Sequence, residues 1–267
     1  MIKIHVISDL FLEFNEFSLE EETIPDVDLV VINGNIGQIK RAMLYVETLC
    51  KKYPTTQFVY NLGELELHIM SHVKMIREIE SQLTIRKNTN STWPKNLHWS
   101  EDPMLIKLRN GKTVDIFCLY GYPKIHSLDC AWEDTNWYKY HTMEIDHSTT
   151  PEGKAYKPAE TSNVYHGGVH TMANMDFINS LNKDEETKVR KWELTNNNAP
   201  KILVTHINPY KDNRLKNQTI NPYLIHMLNK TWISSNTNCE GVMFLGGKLY
   251  TNVGRGPLAR SKVISID

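Results

Sequence analysis

Three observations predict an α/β protein in one domain. Strand and helix patterns alternate through the first half, a β-α-β-α order that favours a largely parallel sheet with right-handed crossovers. Asn110-Gly111 stands between two strand-like runs, a strong hairpin signal, so an antiparallel pair joins the scheme. Most predicted strands run directly into a small polar or glycine-rich cluster. No linker, repeat or low-complexity tract divides residues 1–267.

The elements follow in order. Ile2 to Ile7 alternates, with Ile2, Ile4 and Val6 on one face of a strand. Asp28-Leu29-Val30-Val31-Ile32 is a short apolar run, the pattern of a strand buried on both faces. Ile39, Met43, Val46 and Leu49 fall at helical spacing. Gln57 to Tyr60 is a third strand. Ile69, Val73, Ile76, Ile79 and Leu83 then step by four and three, an amphipathic helix. Met104 to Arg109 and Thr113 to Tyr120 pair across a type I′ turn at Asn110-Gly111. Residues 121–180, with their Gly, Pro, Asn, His and aromatic content, read as a long irregular excursion over the sheet. A helix from Lys183 to Leu194 and a strand from Lys201 to Thr205 follow. Asn221-Pro222 opens a helix that is expected to continue through Trp232. Strands at 241–245, 248–252 and 262–266 complete the chain.

Composition bounds the function. Thirty Lys and Arg against thirty-one Asp and Glu give a net charge of -1, so a basic surface over the whole chain, of the kind that binds nucleic acid nonspecifically, is not indicated. No apolar run approaches the ~20 residues of a membrane span, and the first residues do not resemble a signal peptide. Four cysteines far apart, Cys50, Cys118, Cys130 and Cys239, read as reduced thiols, so a cytoplasmic location is expected. The richness in Asn, Lys and Ile suggests an AT-rich genome such as a bacteriophage's, in which case that cytoplasm is the host's.

Chemistry is expected where the strands end, since open α/β sheets bind ligands outside the carboxyl ends of their strands. The first strand runs into Ser8-Asp9-Leu10-Phe11 and the second into Asn33-Gly34-Asn35. The third runs into Asn61-Leu62-Gly63-Glu64-Leu65-Glu66, and the strand at 201–205 into His206-Ile207-Asn208-Pro209. The strand at 241–245 runs into Gly246-Gly247-Lys248. Asp9, Asn35, Glu64 and His206 should therefore converge.

This succession of clusters resembles the calcineurin-like metallophosphoesterases. Ile7 to Phe14 is similar to the family's first motif and differs from it at Phe11. Ile32 to Gly37, Asn61 to Glu66, Val204 to Pro209, Leu245 to Lys248 and Asn252 to Pro257 match its later motifs in order, so the resemblance spans nearly the whole chain. It implies two packed mixed β-sheets flanked by helices, with the motifs on loops at the strand ends. It also implies a two-metal phosphoesterase site, and here the chain departs from the family. Asp9 stands at a ligand position of the first ion, but the His two residues on is Phe11. The Asp that bridges both ions is Asn35, and a neutral amide is a poor bridge between two dications. The family's Asn ligand is Glu64, and its proton-donating His is Leu65. His206 matches a ligand of the second ion, whereas the two His of the last metal motif fall at Gly247 and near Leu249.

The expectation is thus a catalytically inactive relative, with vestigial positions Asp9, Phe11, Asn35, Glu64, Leu65, His206, Gly247 and Lys248, no catalytic residue and no metal cofactor. It would act as a binding or scaffold module for another macromolecule, most simply a protein, and a host protein if the chain is phage-encoded. The Lys248 ammonium is expected to reach toward Asp9 or Glu64 in place of the lost metal charge. The other reading is a divergent metal-dependent phosphoesterase or nuclease with one weakly held Mn, Fe or Zn ion at Asp9, Asn35, Glu64 and His206.

Overall fold

The computed structural model describes residues 1–12, 23–63, 66, 81, 83–89, 93–121, 175–206, 230–235, 242–244, 247–251 and 262–266. Among the described residues, eleven strands fall in two sheets. The first sheet contains β1 (Ile2–Ile7), β2 (Leu29–Asn33), β3 (Gln57–Asn61), β4 (Leu97–His98) and the last strand, β11 (Lys262–Ile266). Its order is β11-β1-β2-β3-β4, with β1 to β4 parallel and β11 antiparallel to β1. The second sheet contains β5 (Met104–Lys107), β6 (Thr113–Leu119), β7 (Lys201–Thr205), β8 (Thr231–Ser234), β9 (Val242–Phe244) and β10 (Gly247–Thr251). Its order is β5-β6-β7-β8-β10-β9; the four inner strands are parallel, and β5 and β9 are antiparallel edges.

Side-chain alternation along these strands assembles the layers. Ile2, Ile4 and Val6 of β1, with Leu29, Val31 and Val59, pack against Val114, Ile116, Ile202, Val204 and Ile233 of the second sheet. The intervening residues of the first sheet, Val30, Ile32, Phe58 and Tyr60, turn outward. They meet Met43, Val46 and Leu49 of helix α1 (Ile39–Lys52) and Leu83 of the helical stretch 83–89. Phe117, Leu203 and Trp232 do the same on the second sheet, beneath Val189 and Trp192 of the long helix Met175–Glu193. Two mixed sheets face each other with helices outside both, as the resemblance implies.

Three local expectations are corrected. The hairpin turn is not type I′, which needs positive φ at both central residues. Only Gly111 has it, at φ 82, and its N–H donates to the Leu108 carbonyl (3.0 Å). The loop is therefore a β-turn closed by a left-handed glycine, and Asn110 instead accepts the Lys112 N–H through Oδ1 (2.9 Å). Trp232 does not end a helix but lies inside β8, fully buried between β7 and β10. Thr231-Trp232-Ile233 is a β-branched and aromatic run that fits a pleated, covered surface. The helix expected from Lys183 begins earlier, at Met175. The predicted helix start at Asn221, most of the helix from Ile69, and residues 122–174 of the irregular excursion lie outside the described residues.

Two side-chain amides lock the sheets together at one end. Asn33 and Asn61 are register partners at the ends of β2 and β3, and Leu119 and Thr205 are partners at the ends of β6 and β7. Asn33 Nδ2 donates to the Thr205 carbonyl (2.8 Å). Asn61 Nδ2 donates to the Leu119 carbonyl and to Asn33 Oδ1 (2.9 Å each). These buried amides satisfy strand-end carbonyls that water does not reach, and they fix the carboxyl ends of both sheets side by side.

Candidate functional site at the joined strand ends

The loops leaving β1 and β2 run together past their strands. Asp9 N–H donates to the Gly34 carbonyl, Phe11 N–H to the Asn35 carbonyl and Leu12 N–H to the Ile36 carbonyl, at 3.0, 3.0 and 2.9 Å. Among the described residues, Asp9, Phe11 and Asn35 are the non-glycine positions with positive φ, at 56, 52 and 56°. Asp and Asn tolerate that region, but a bulky aromatic there is an outlier. Such strain persists only where the surroundings over-determine it, as they do at binding sites. Gly34 and Gly63 let the second and third loops touch. A Cβ on Gly34 would stand 2.6 Å from Gly63 Cα and from His206 Nδ1, and one on Gly63 would stand 2.4 Å from the Asn35 nitrogen.

Glu66 organises this contact. Its Oε2 accepts the N–H groups of Asn35 and Gly63 (2.9 Å each), and its Oε1 accepts the Ile36 N–H (2.9 Å) and the Tyr60 hydroxyl (3.2 Å). Burial pushes the Glu66 carboxyl above the usual carboxylate range, while the amides of Ile36 and Asn35 and the His206 imidazole pull it back. Burial likewise raises the Tyr60 phenol, and Glu66 reinforces that shift. The sequence carries a sign of this residue. A Glu three positions after Gly63, at the start of a helical pattern, is half of a capping box, although the family resemblance points to Glu64 instead.

His206 leaves β7 and turns its ring back under β2. Nδ1 lies 2.8 Å from the Asn33 carbonyl, which can only accept, so the proton sits on Nδ1. Ser235, just past β8, places its hydroxyl 2.9 Å from that same carbonyl and 3.0 Å from His206 Nδ1. His206 Nε2 is buried, and no partner is present for it among the described residues. The Tyr120 ring stands 5.9 Å from the His206 ring, and the backbone there is held by Glu185 of the long helix, whose Oε1 accepts the Tyr120 and Gly121 N–H groups (3.0 and 3.1 Å).

The structure brings Asp9, Asn35 and His206 to this one rim. Asn35 Nδ2 donates to Asp9 Oδ1 (2.9 Å), and both side chains are buried. Phe11 is half-buried beside them. Glu64 and Leu65 lie outside the described residues. Gly247 and Lys248 are not brought to the rim. Lys248 pairs with Thr231 at the start of β8, whereas Thr251 pairs with Ser234 at its rim end. That is three residues, roughly 10 Å of strand, and the Lys248 side chain itself lies outside the described residues.

Two of the described positions, Phe11 and Asn35, do not fit a pair of metal ions. Phe11 offers no donor atom, and the Asn35 amide points an N–H at the carboxylate oxygen that a cation would take. Among the described residues no group of three or more His, Cys, Asp or Glu side chains is placed to hold an ion. His206 Nε2, the ring nitrogen turned away from the Asn33 carbonyl, is the atom of this ring that is placed to act as a ligand.

No protein-family model and no curated protein matches the chain. Among solved structures it is similar to phosphopantetheinyl hydrolase (PptH) from Mycobacterium tuberculosis, at a TM-score of 0.56 and 10% identity, covering 99% of this chain and 96% of that one. It is also similar to TT1561 of Thermus thermophilus, at a TM-score of 0.49 and 12% identity, covering 97% of this chain and 90% of that one. The paired mixed sheets, the motif loops at their joined carboxyl ends and the likeness to PptH along the whole chain give one conclusion: the protein has the calcineurin-like metallophosphoesterase fold.

Proposed function

We propose that this chain is a metallophosphoesterase-fold protein that has given up two-metal hydrolysis and works as a binding module for another protein. The observation that carries this reading is the hydrogen bond from the Asn35 amide to the Asp9 carboxylate. Phosphoester hydrolysis on this fold needs a metal-activated hydroxide and charge stabilisation of the transition state. An amide in place of the bridging carboxylate removes one negative charge and donates to Asp9, so this pair of side chains is satisfied without a cation between them. Phe11 adds apolar bulk where the family has an imidazole, and Leu65 replaces the proton donor. The test is a panel of chromogenic phosphomonoesters and phosphodiesters assayed with Mn, Mg, Ni and Zn. Background rates that are identical in wild type and His206→Ala are expected. Turnover lost in His206→Ala would overturn the reading, since a contaminant does not depend on that residue.

One observation favours the second reading, a divergent phosphoesterase or nuclease with a single weakly held Mn, Fe or Zn ion. His206 Nε2 is buried and has no hydrogen-bond partner among the described residues. Asp9 and His206, with Asn35 and Glu64, would then be the donors, and the same panel separates the two readings.

A further inference from the structure

The two long helices among the described residues carry different charge. The long helix Met175–Glu193 holds four basic and five acidic residues, an ordinary solvated mixture. Helix α1 holds four basic residues, Lys40, Arg41, Lys51 and Lys52, against a single acid, Glu47. That acid does not face solvent: it is buried and takes the Arg86 guanidinium from the helical stretch 83–89, through Nε at 2.8 Å and Nη2 at 2.5 Å. The exposed charged side chains of α1 itself are therefore cations, and among the described residues no carboxylate pairs with Lys40, Arg41 or Lys51.

Helix physics does not account for this distribution. Lys51 and Lys52 in the last turn suit the macrodipole, but Lys40 and Arg41 lie in the first turn, where cations oppose it by about 0.3–1 kcal/mol each. No acidic residue stands in that turn, and Gln38 at the N-cap makes no side-chain capping bond. A helix end that breaks its own charge rule without local compensation is expected at a functional surface. Apolar side chains are set among the cations. Leu44 is 63% exposed, one turn after Lys40 and Arg41, and Ile85 is 56% exposed, beside Arg86. Phosphate backbones would be met by cations and polar groups, whereas exposed aliphatic anchors flanked by charge are what an amphipathic protein segment requires.

We infer that the α1 face, with Leu44 and Ile85 as anchors and Lys40, Arg41, Lys51 and Lys52 around them, binds an acidic amphipathic segment of a partner protein. The assignment rests on the binding-module reading and can fail without it, because the metal and hydrolysis assays do not involve this face. The probe is a fluorescent helical peptide with leucines at i and i+4 flanked by glutamates, followed by anisotropy against the full chain, with duplex DNA of equal charge alongside. Wild type should bind the peptide more tightly than the DNA. Lys40→Glu/Arg41→Glu should weaken the peptide roughly tenfold or more, and Leu44→Ser should weaken it while leaving its salt dependence. The double variant places acids where the helix dipole favours them, so its melting temperature should not fall. Lys183→Glu/Lys188→Glu on the opposite helix should change nothing. Peptide binding that is absent, or equal in wild type and the α1 variants, overturns the inference, and so does a preference for DNA.

Discussion

At the residue scale, the decisive positions are those where a side chain has a single chemically consistent role. Asn35 is one. Changed to Asp, it would set a carboxylate against Asp9 at the present 2.9 Å contact, and two such groups must share a proton or repel. Asn35→Asp is therefore expected to lower stability by about 1–3 kcal/mol, more as pH rises through the carboxylate range. Melting curves in chelator from pH 5 to pH 8 measure this, and added Mn should recover part of the loss. Glu66 is the second. Glu66→Gln keeps the size but replaces one acceptor oxygen by an N–H₂ group facing backbone donors, at a cost of about 1.5–3 kcal/mol in the same measurement. His5 is the third. It is buried with both ring nitrogens lacking hydrogen bonds among the described residues, and burial lowers its imidazole from 6.5 to about 4. The folded state thus disfavours the protonated form. The stability is fully present above the unfolded value near 6.5 and is lost as pH falls toward 4. His98, lowered to about 4 by burial and by Lys87, acts in the same direction. His5→Leu should flatten the slope of melting temperature across that window, and an unchanged slope would remove His5 from the account.

At the element scale, strands with a clear apolar period are legible in the sequence almost to the residue. β1, β7 and β11 have the predicted bounds, because alternation or a bounded apolar run leaves one register. β8 reads as helix from sequence because Trp232 follows a helix-start signal at Asn221-Pro222, and a four-residue strand has too little period to announce itself. β4, with two residues, has none. In the folded chain Trp232 fills the space under the long helix and donates its Nε1–H to Thr205 Oγ1 (2.8 Å). Trp232→Ala should cost about 3–5 kcal/mol, read by denaturant unfolding, whereas an exposed helix end would lose almost nothing. At the site, Asp9, Asn35 and His206 are legible because each follows a recognisable strand end. Ser235 and the Asn33–Asn61 clasp are not, because their roles come from pairings across 28 to 202 residues of sequence. Glu66 is half legible, since its spacing from Gly63 announces a cap but its bonds to the Asn35 and Ile36 amides belong to another loop. The position of Lys248 is equally closed to sequence reading, since only the β8–β10 register shows which end of the strand it occupies.

At the scale of the whole molecule, two sheets meet through an apolar interior and are pinned at one end by buried amides. The chain has the metallophosphoesterase fold and a left-handed loop backbone at its rim, where the Asn35 amide donates to the Asp9 carboxylate. The most direct test is the melting temperature of the protein after exhaustive chelation, compared with the same sample after Mn addition and with Asp9→Ala/His206→Ala treated alike. Wild type and the double variant are expected to respond equally to Mn, with no specific upward shift. A large Mn-dependent rise in wild type that the double variant lacks would show a bound ion at Asp9 and His206 and contradict that expectation.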